Sequence, residues 1–240
     1  MSATTPEKLP MRRRFLRILT WVLASVALFV ATLTLLLALL EFVAKFVSFG
    51  YGPTESTELV RFNFIDRTYA VQRNYQPSFF FKDDAHNLGS FSVRALLPDF
   101  APYSKARHEE WFALGRSAPH MEILLSESAG TMRPDEWVRL RLKYAVDPNG
   151  QPGPAGLRRY DMRKGSPTFF DIVYVPEKPG DVILIGCTIH DGEMTGCWMD
   201  ATYDDAANLK IVFNSHFLPD WRQIMDGTRR LLKTFQTQAH

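Results

Sequence analysis

The sequence predicts an α+β protein: one N-terminal transmembrane helix, then an antiparallel-sheet domain covered by a C-terminal helix. Three observations carry this. Residues 18–40 contain no charged side chain. Beyond residue 50, apolar residues alternate with period two in several short runs, and from Trp221 to Phe235 they recur at helical spacing.

The first element is Ile18–Leu40, "ILTWVLASVALFVATLTLLLALL", 23 residues. At 1.5 Å per residue it covers about 34 Å, slightly more than the roughly 30 Å hydrocarbon layer. A buried helix of a soluble protein rarely stays uncharged on every face for this length. Lys8, Arg12, Arg13, Arg14 and Arg17 precede the run against Glu7, whereas Glu41 and Lys45 after it cancel. The positive-inside rule therefore makes residues 1–17 a cytoplasmic basic segment, 18–40 the span, 41–57 a juxtamembrane linker and 58–240 a domain on the far side. A cleaved secretory signal fits less well: its apolar region is shorter, and the loose small-x-small site at Ser25-Val26-Ala27 lies inside the run. "RRRFLR" matches the paired-arginine export pattern, but no cleavage box follows. An uncleaved anchor is expected.

The formal charge of +2 resides in this leader, since residues 1–50 hold six of the 28 basic and two of the 26 acidic side chains. The remainder is near −2 and has no basic footprint for nucleic acid. It is long enough to bury one core of its own.

Within it, "LVRFNF" places Val60, Phe62 and Phe64 on one face of a strand, and "FFDIVYV", "DVILIG" and "LKIVF" read as more deeply buried strands. "WVRLRLKY", residues 137–144, sets Val138, Leu140, Leu142 and Tyr144 opposite Trp137, Arg139, Arg141 and Lys143, the pattern of a half-buried strand. Turn signals lie between these runs at "DPNGQPGPAG", "PEKPGD" and "HDGE". "RHEEWFALG" predicts a short helix. After Pro219 and Asp220, which suit a first turn, Trp221, Ile224, Met225, Leu231, Leu232 and Phe235 form the apolar face of the closing helix.

Both cysteines, Cys187 and Cys197, flank "HDGE". A three-residue loop of Asp191, Gly192 and Glu193 pairs position 190 with 194 and Cys187 with Cys197, close enough for a disulfide. A two-residue Asp-Gly turn shifts the register by one and points the sulfurs to opposite faces. An oxidising compartment favours the bond. The competing readings are a metal site recruiting Cys187, His190 and Cys197 without a fourth ligand, a reactive pair without Cys-x-x-Cys spacing, and two buried thiols.

There is no nucleophile elbow, His-Glu-x-x-His, phosphate loop or dinucleotide fingerprint, so no catalytic residue, cofactor or metal is expected. His190, Asp191 and Glu193 at a hairpin tip are a solvated turn before they are an acid/base group. The places where side chains are left over for a protein partner are this tip, Asn149 in the loop 147–156, and Phe79, Phe80 and Phe81, of which a strand turns at least one ring away from the core.

Residues 196–235, "GCWMDATYDDAANLKIVFNSHFLPDWRQIMDGTRRLLKTF", carry a cysteine on a strand, an acidic turn, the strand "LKIVF", then "LPDW", a basic helix and a closing Leu-Leu-x-x-Phe. This stretch resembles the end of periplasmic immunity proteins that neutralise antibacterial effectors of type VI secretion systems. The resemblance implies an envelope protein of the bacterial inner membrane, without catalysis, that binds a toxic effector and blocks it. Many such proteins are secreted or lipid-anchored, and this chain departs from them by its transmembrane helix. A structural accessory subunit of an envelope complex has the same outline of one span and a compact outer domain.

Overall fold

A computed structural model describes residues 11–48, 52–76, 87–115, 117–128, 134–167, 169–178 and 183–237, with 11–18, 41–48 and 134 described by backbone alone. The chain divides into two compact units, Met1–Tyr51 and Gly52–His240. The first contains one helix, α1 (Met11–Ser48), which runs eight residues into the stretch expected as linker. Leu19–Leu40 is long and apolar enough to cross a membrane, and its large side chains are exposed along its length, as they are in a helix solvated by lipid.

The second unit is built on an eight-stranded sheet in which all neighbours are antiparallel. Its strands are β3 (Ser90–Leu96), β4 (His120–Glu127), β5 (Gln151–Pro152), β6 (Leu157–Asp161), β7 (Ile172–Pro176), β8 (Ile183–His190), β9 (Glu193–Asp204) and β10 (Ala207–Asn214), in the order β3-β4-β10-β9-β8-β7-β6-β5. A separate hairpin joins β1 (Leu59–Phe64) to β2 (Arg67–Gln72). α2 (His108–Phe112) falls in the predicted short helix, and α4 (Trp221–Phe235) is the predicted closing helix, entered through a 3-10 turn at Ser215–Asp220 that contains Pro219.

One sheet face carries the main core. Val93, Ile123, Ile185, Met199, Leu209 and Ile211 alternate inward along five strands and are sealed by Val60, Phe62 and Phe64 of β1 and by Trp221, Ile224, Leu232 and Phe235 of α4. Phe91 sits at the centre of an aromatic group, its ring 4.9 Å from Phe62, 5.3 Å from Phe64 and 4.9 Å from Tyr69. The end of the chain is tied back to the start of the domain. Gln236 bridges Tyr69, its Nε2 donating to the Tyr69 and Tyr203 hydroxyls at 3.0 Å, and the Thr237 amide donates to the Thr68 carbonyl at 3.0 Å.

The other face corrects one expectation. Residues 137–144 do not form a strand: α3 runs from Pro134 to Leu142. The alternation in "WVRLRLKY" is real, but Trp137, Val138 and Leu142 also share a helical face, and that face packs with Ala145, just past the helix, on Val173 and Leu184 of the sheet. Pro134 opens the helix with its fixed φ, Asp135 and Glu136 favour the first turn, and Arg139 pairs with Asp135 at 3.7 Å one turn away. Beside α3, Phe170 lies flat on Gly186, where an added Cβ would meet the ring at 2.4 Å. The Phe170 ring is 5.5 Å from Trp198, and the Arg141 guanidinium stands 4.5 Å from the Trp137 ring and 5.5 Å from Phe170.

Candidate partner-binding surface

The hairpin β8–β9 resolves the cysteine question in an unexpected way. The turn has two residues, with His190 opposite Glu193, and both Asp191 (φ 53°) and Gly192 (φ 81°) are left-handed, the type I′ geometry whose twist suits a hairpin. The expected three-residue loop is therefore wrong. Yet Cys187 stands directly opposite Cys197 and is bonded to it, with α-carbons 4.1 Å apart. A β-bulge reconciles the two: Thr195 and Gly196 together face Thr188, and the extra residue restores the register that the short turn had shifted. Both cysteines are fully buried in the main core. Among the described residues no group of three metal-ligating side chains comes together.

At the tip, His190 and Asp191 project into solvent, 80% and 90% exposed at the side chain, with Nε2 and Oδ2 3.3 Å apart. Glu193 is exposed beside them. Asn149 is also exposed, but in another loop, where its amide donates to Asp147 Oδ1 at 2.8 Å and its carbonyl accepts from Arg158 at 2.9 Å. Phe79, Phe80 and Phe81 lie outside the described residues.

Register places most of these groups at one end of the sheet. Strand pairing brings together the end of β3, the start of β4, the end of β10, the β8–β9 turn, the start of β7 and the end of β6. The loops at this end carry apolar side chains that sequence reasoning missed. Leu114, between α2 and β4, is 94% exposed; Phe169, before β7, is 86% exposed; Phe112, Val146 and Ile189 are exposed there too. One signal was available: "FF" at 169–170 opens a run read as a strand, and adjacent residues of a strand face opposite sides, so one ring had to leave the core. Phe170 takes the inward place and Phe169 the outward one. The loop and the hairpin are fixed together, because the Ile189 amide donates to Asp171 Oδ2 at 2.7 Å and the Asp171 amide to the Cys187 carbonyl at 3.0 Å.

The opposite end is polar. Its turns hold Asp66, Glu127, Ser128, Asp204 and Asp205, with Arg67 paired to Asp204. A cavity of about 340 Å³ there is lined by Ile65, Asp66, Asn87, Glu127, Ser128 and Ala206. On the sheet face beside α3, burial holds the Asp200 carboxyl above its ordinary pKa, against the pull of Lys210 and Arg141. Burial also pushes the Tyr203 hydroxyl up to about 12. At the start of β4 burial lowers His120, with the nearby Arg94 charge acting in the same direction.

No family model matches this chain, and no curated protein matches it by sequence. Solved structures do. The domain is similar to Smlt3025, an immunity protein of the Stenotrophomonas maltophilia type IV secretion system, at 14% identity and a TM-score of 0.52 over 76% of this chain and 95% of that one. The iron-regulated outer membrane lipoprotein FrpD of Neisseria meningitidis superposes with a TM-score of 0.48 at 12% identity, over 78% of this chain and 96% of that one. At this identity the likeness to Smlt3025 establishes a shared fold.

Proposed function

We propose that this chain is a membrane-anchored immunity protein that binds a toxic secretion-system effector and blocks it by covering its working surface, with no catalysis of its own. The observation that carries the reading is the likeness to Smlt3025 over nearly all of that immunity protein. The sequence of residues 196–235 supports it independently and points to a type VI effector, whereas Smlt3025 serves a type IV system. The common element is inhibition of a delivered toxin. The arginine cluster ahead of α1 supports a cytoplasmic N-terminus, and the Cys187–Cys197 bond supports an oxidising periplasm around the domain.

A standard inhibitory interface takes about 800 Å² from each partner. The exposed hairpin tip at His190, Asp191 and Glu193 and the Asn149 loop are not consumed by the core, which makes them the first positions to test. The test is survival of cells that export the product of the adjacent gene to the periplasm, with and without this chain. Protection is expected, together with co-purification of the two proteins. Equal killing in both strains, or an adjacent product that is not toxic, favours the accessory-subunit role instead. A periplasm-active reporter fused after Thr237 should be active and a cytoplasm-active one silent; the reverse pattern overturns the orientation.

A further inference from the structure

Among the described residues, the domain's exposed large apolar side chains are not scattered. Leu114, Phe169, Val146, Ile189 and Phe112 all sit in or beside loops at one end of the sheet, and Leu59 opens β1 next to the segment by which the chain joins the domain. That segment is anchored at the same end. The Lys105 amide donates to Glu55 Oε1 at 2.7 Å, the Asn74 amide to the Ser56 carbonyl at 3.0 Å, and Arg73 pairs with Glu58 at 2.9 Å. Lys105 lies just ahead of α2, which leads into Leu114. The polypeptide reaches Gly52 about a dozen residues after Leu40, the last residue of the apolar stretch.

From this coincidence we propose that the Leu114/Phe169 end of the domain rests on a lipid surface, with these two side chains inserted among the headgroups and upper acyl chains. It rests on the reading of α1 as a membrane anchor and competes with an effector for this end: where lipid covers Leu114 and Phe169, the His190 tip and the Asn149 loop turn toward the bilayer and the effector surface lies elsewhere on the domain. The distribution of the apolar groups favours lipid over a protein partner. Protein interfaces concentrate their anchors in a central, desolvated cluster. Here the two most exposed of the apolar side chains described occupy separate loop tips beside β4 and β7, four strands apart in the sheet order, or roughly 19 Å by strand spacing. Isolated apolar tips with polar residues between them match a plane whose interior is apolar and whose margin is wet, as in interfacial binding generally. Lys105, 82% exposed at the side chain and paired with Glu55 at 3.4 Å, and the exposed Lys164 stand at the same end as the exposed Asp191 and Glu193, so the polar margin between the apolar tips carries both signs of charge.

The full chain, reconstituted in vesicles of phosphatidylethanolamine and phosphatidylglycerol, tests this directly. Because the native cysteines are bonded to each other, Leu114→Cys, Phe169→Cys and the opposite-end controls Asp66→Cys and Asp205→Cys each offer one thiol to an environment-sensitive fluorophore. Labels at 114 and 169 should be quenched several-fold more by lipids carrying a quencher in the acyl chain than labels at 66 and 205, and several-fold less by aqueous iodide. Equal iodide quenching at all four positions in protein that floats with the vesicles overturns the inference and leaves the anchor standing. Protein that does not float removes the anchor and the inference with it. Water-exposed labels at 114 and 169 that become shielded only when a purified effector is added also overturn it, and assign this end to the protein partner.

Discussion

On one face of the eight-stranded sheet Ile123, Ile185, Met199, Leu209 and Ile211 are fully buried beneath β1–β2 and α4; on the other, Trp198, Phe170 and Arg141 lie beside α3, near Asp200, which pairs with the exposed Lys210. The first face is stabilised chiefly by apolar burial and by the Cys187–Cys197 bond, neither of which depends on a titrating side chain. The second mixes stacked rings with charges only partly withdrawn from water, and Asp200 pays for its position in raised pKa. The difference separates a face that specifies the fold from one whose stability varies with conditions.

The largest expected effect tests the first face. Ile211→Ala should lower stability by about 2–5 kcal/mol, through lost burial and the cavity left behind, and Val212→Ala, its neighbour on the other face, by less than half as much. Chemical denaturation of the detergent-solubilised chain measures both, and equal losses would erase the contrast. Next comes the bond that joins β8 and β9 within the main core. Cys187→Ser should cost about 2–3 kcal/mol, and the double Cys187→Ser, Cys197→Ser variant no more than the single one, since either change breaks the same bond. Non-reducing mass spectrometry should find the two cysteines linked in protein taken from the envelope; free thiols on both would refute the pairing.

On the second face, Gly186→Ala should cost about 1–3 kcal/mol, because its Cβ collides with the Phe170 ring. In a Phe170→Ala background most of that penalty should vanish; an undiminished penalty would show that strand geometry, not the ring, requires glycine. The smallest effect is electrostatic. A carboxyl whose folded pKa is raised above 3.8 stabilises the fold fully below that value and loses this contribution as pH rises through the raised pKa. Asp200→Asn should therefore gain on the parent protein as pH increases from about 4, with a slope of at most about 1.4 kcal/mol per pH unit. A pH-independent difference between the two proteins would assign no linkage to Asp200.

The same contrast explains what could be read from sequence. Main-core strands with clean alternation, β1 and β10, and the helix α4 fall where "LVRFNF", "LKIVF" and the Trp221–Phe235 spacing place them. α3 was misread because short amphipathic segments satisfy both periods, and its start signal, Pro-Asp-Glu, is local while the alternation is extended. β2 was missed because the β1–β2 turn uses Ile65 (φ 47°) and Asp66 (φ 56°) in left-handed geometry without glycine or asparagine. Packing of Ile65 against the core, not turn chemistry, holds it. At the hairpin tip the paired cysteines were legible but the bulge was not, since no residue type announces an extra position. The apolar end was invisible for a topological reason: it assembles loops that are far apart in sequence and meet only once the strand order is known.

The clasp between Thr68–Tyr69 and Gln236–Thr237 also bears on how the domain is made. Thr68 waits for a partner synthesised 169 residues later, and Tyr75 meets Phe235 only when the chain is nearly finished, with the two rings 5.1 Å apart. Contacts this distant in sequence slow folding, because the entropy of closing the intervening loop is spent before the contact returns anything. During synthesis, therefore, the β1–β2 hairpin is an unfinished surface for most of the time the chain is growing, and a nonsense codon late in α4 would remove the Gln236–Thr237 clasp and leave a nearly complete protein exposed to proteases.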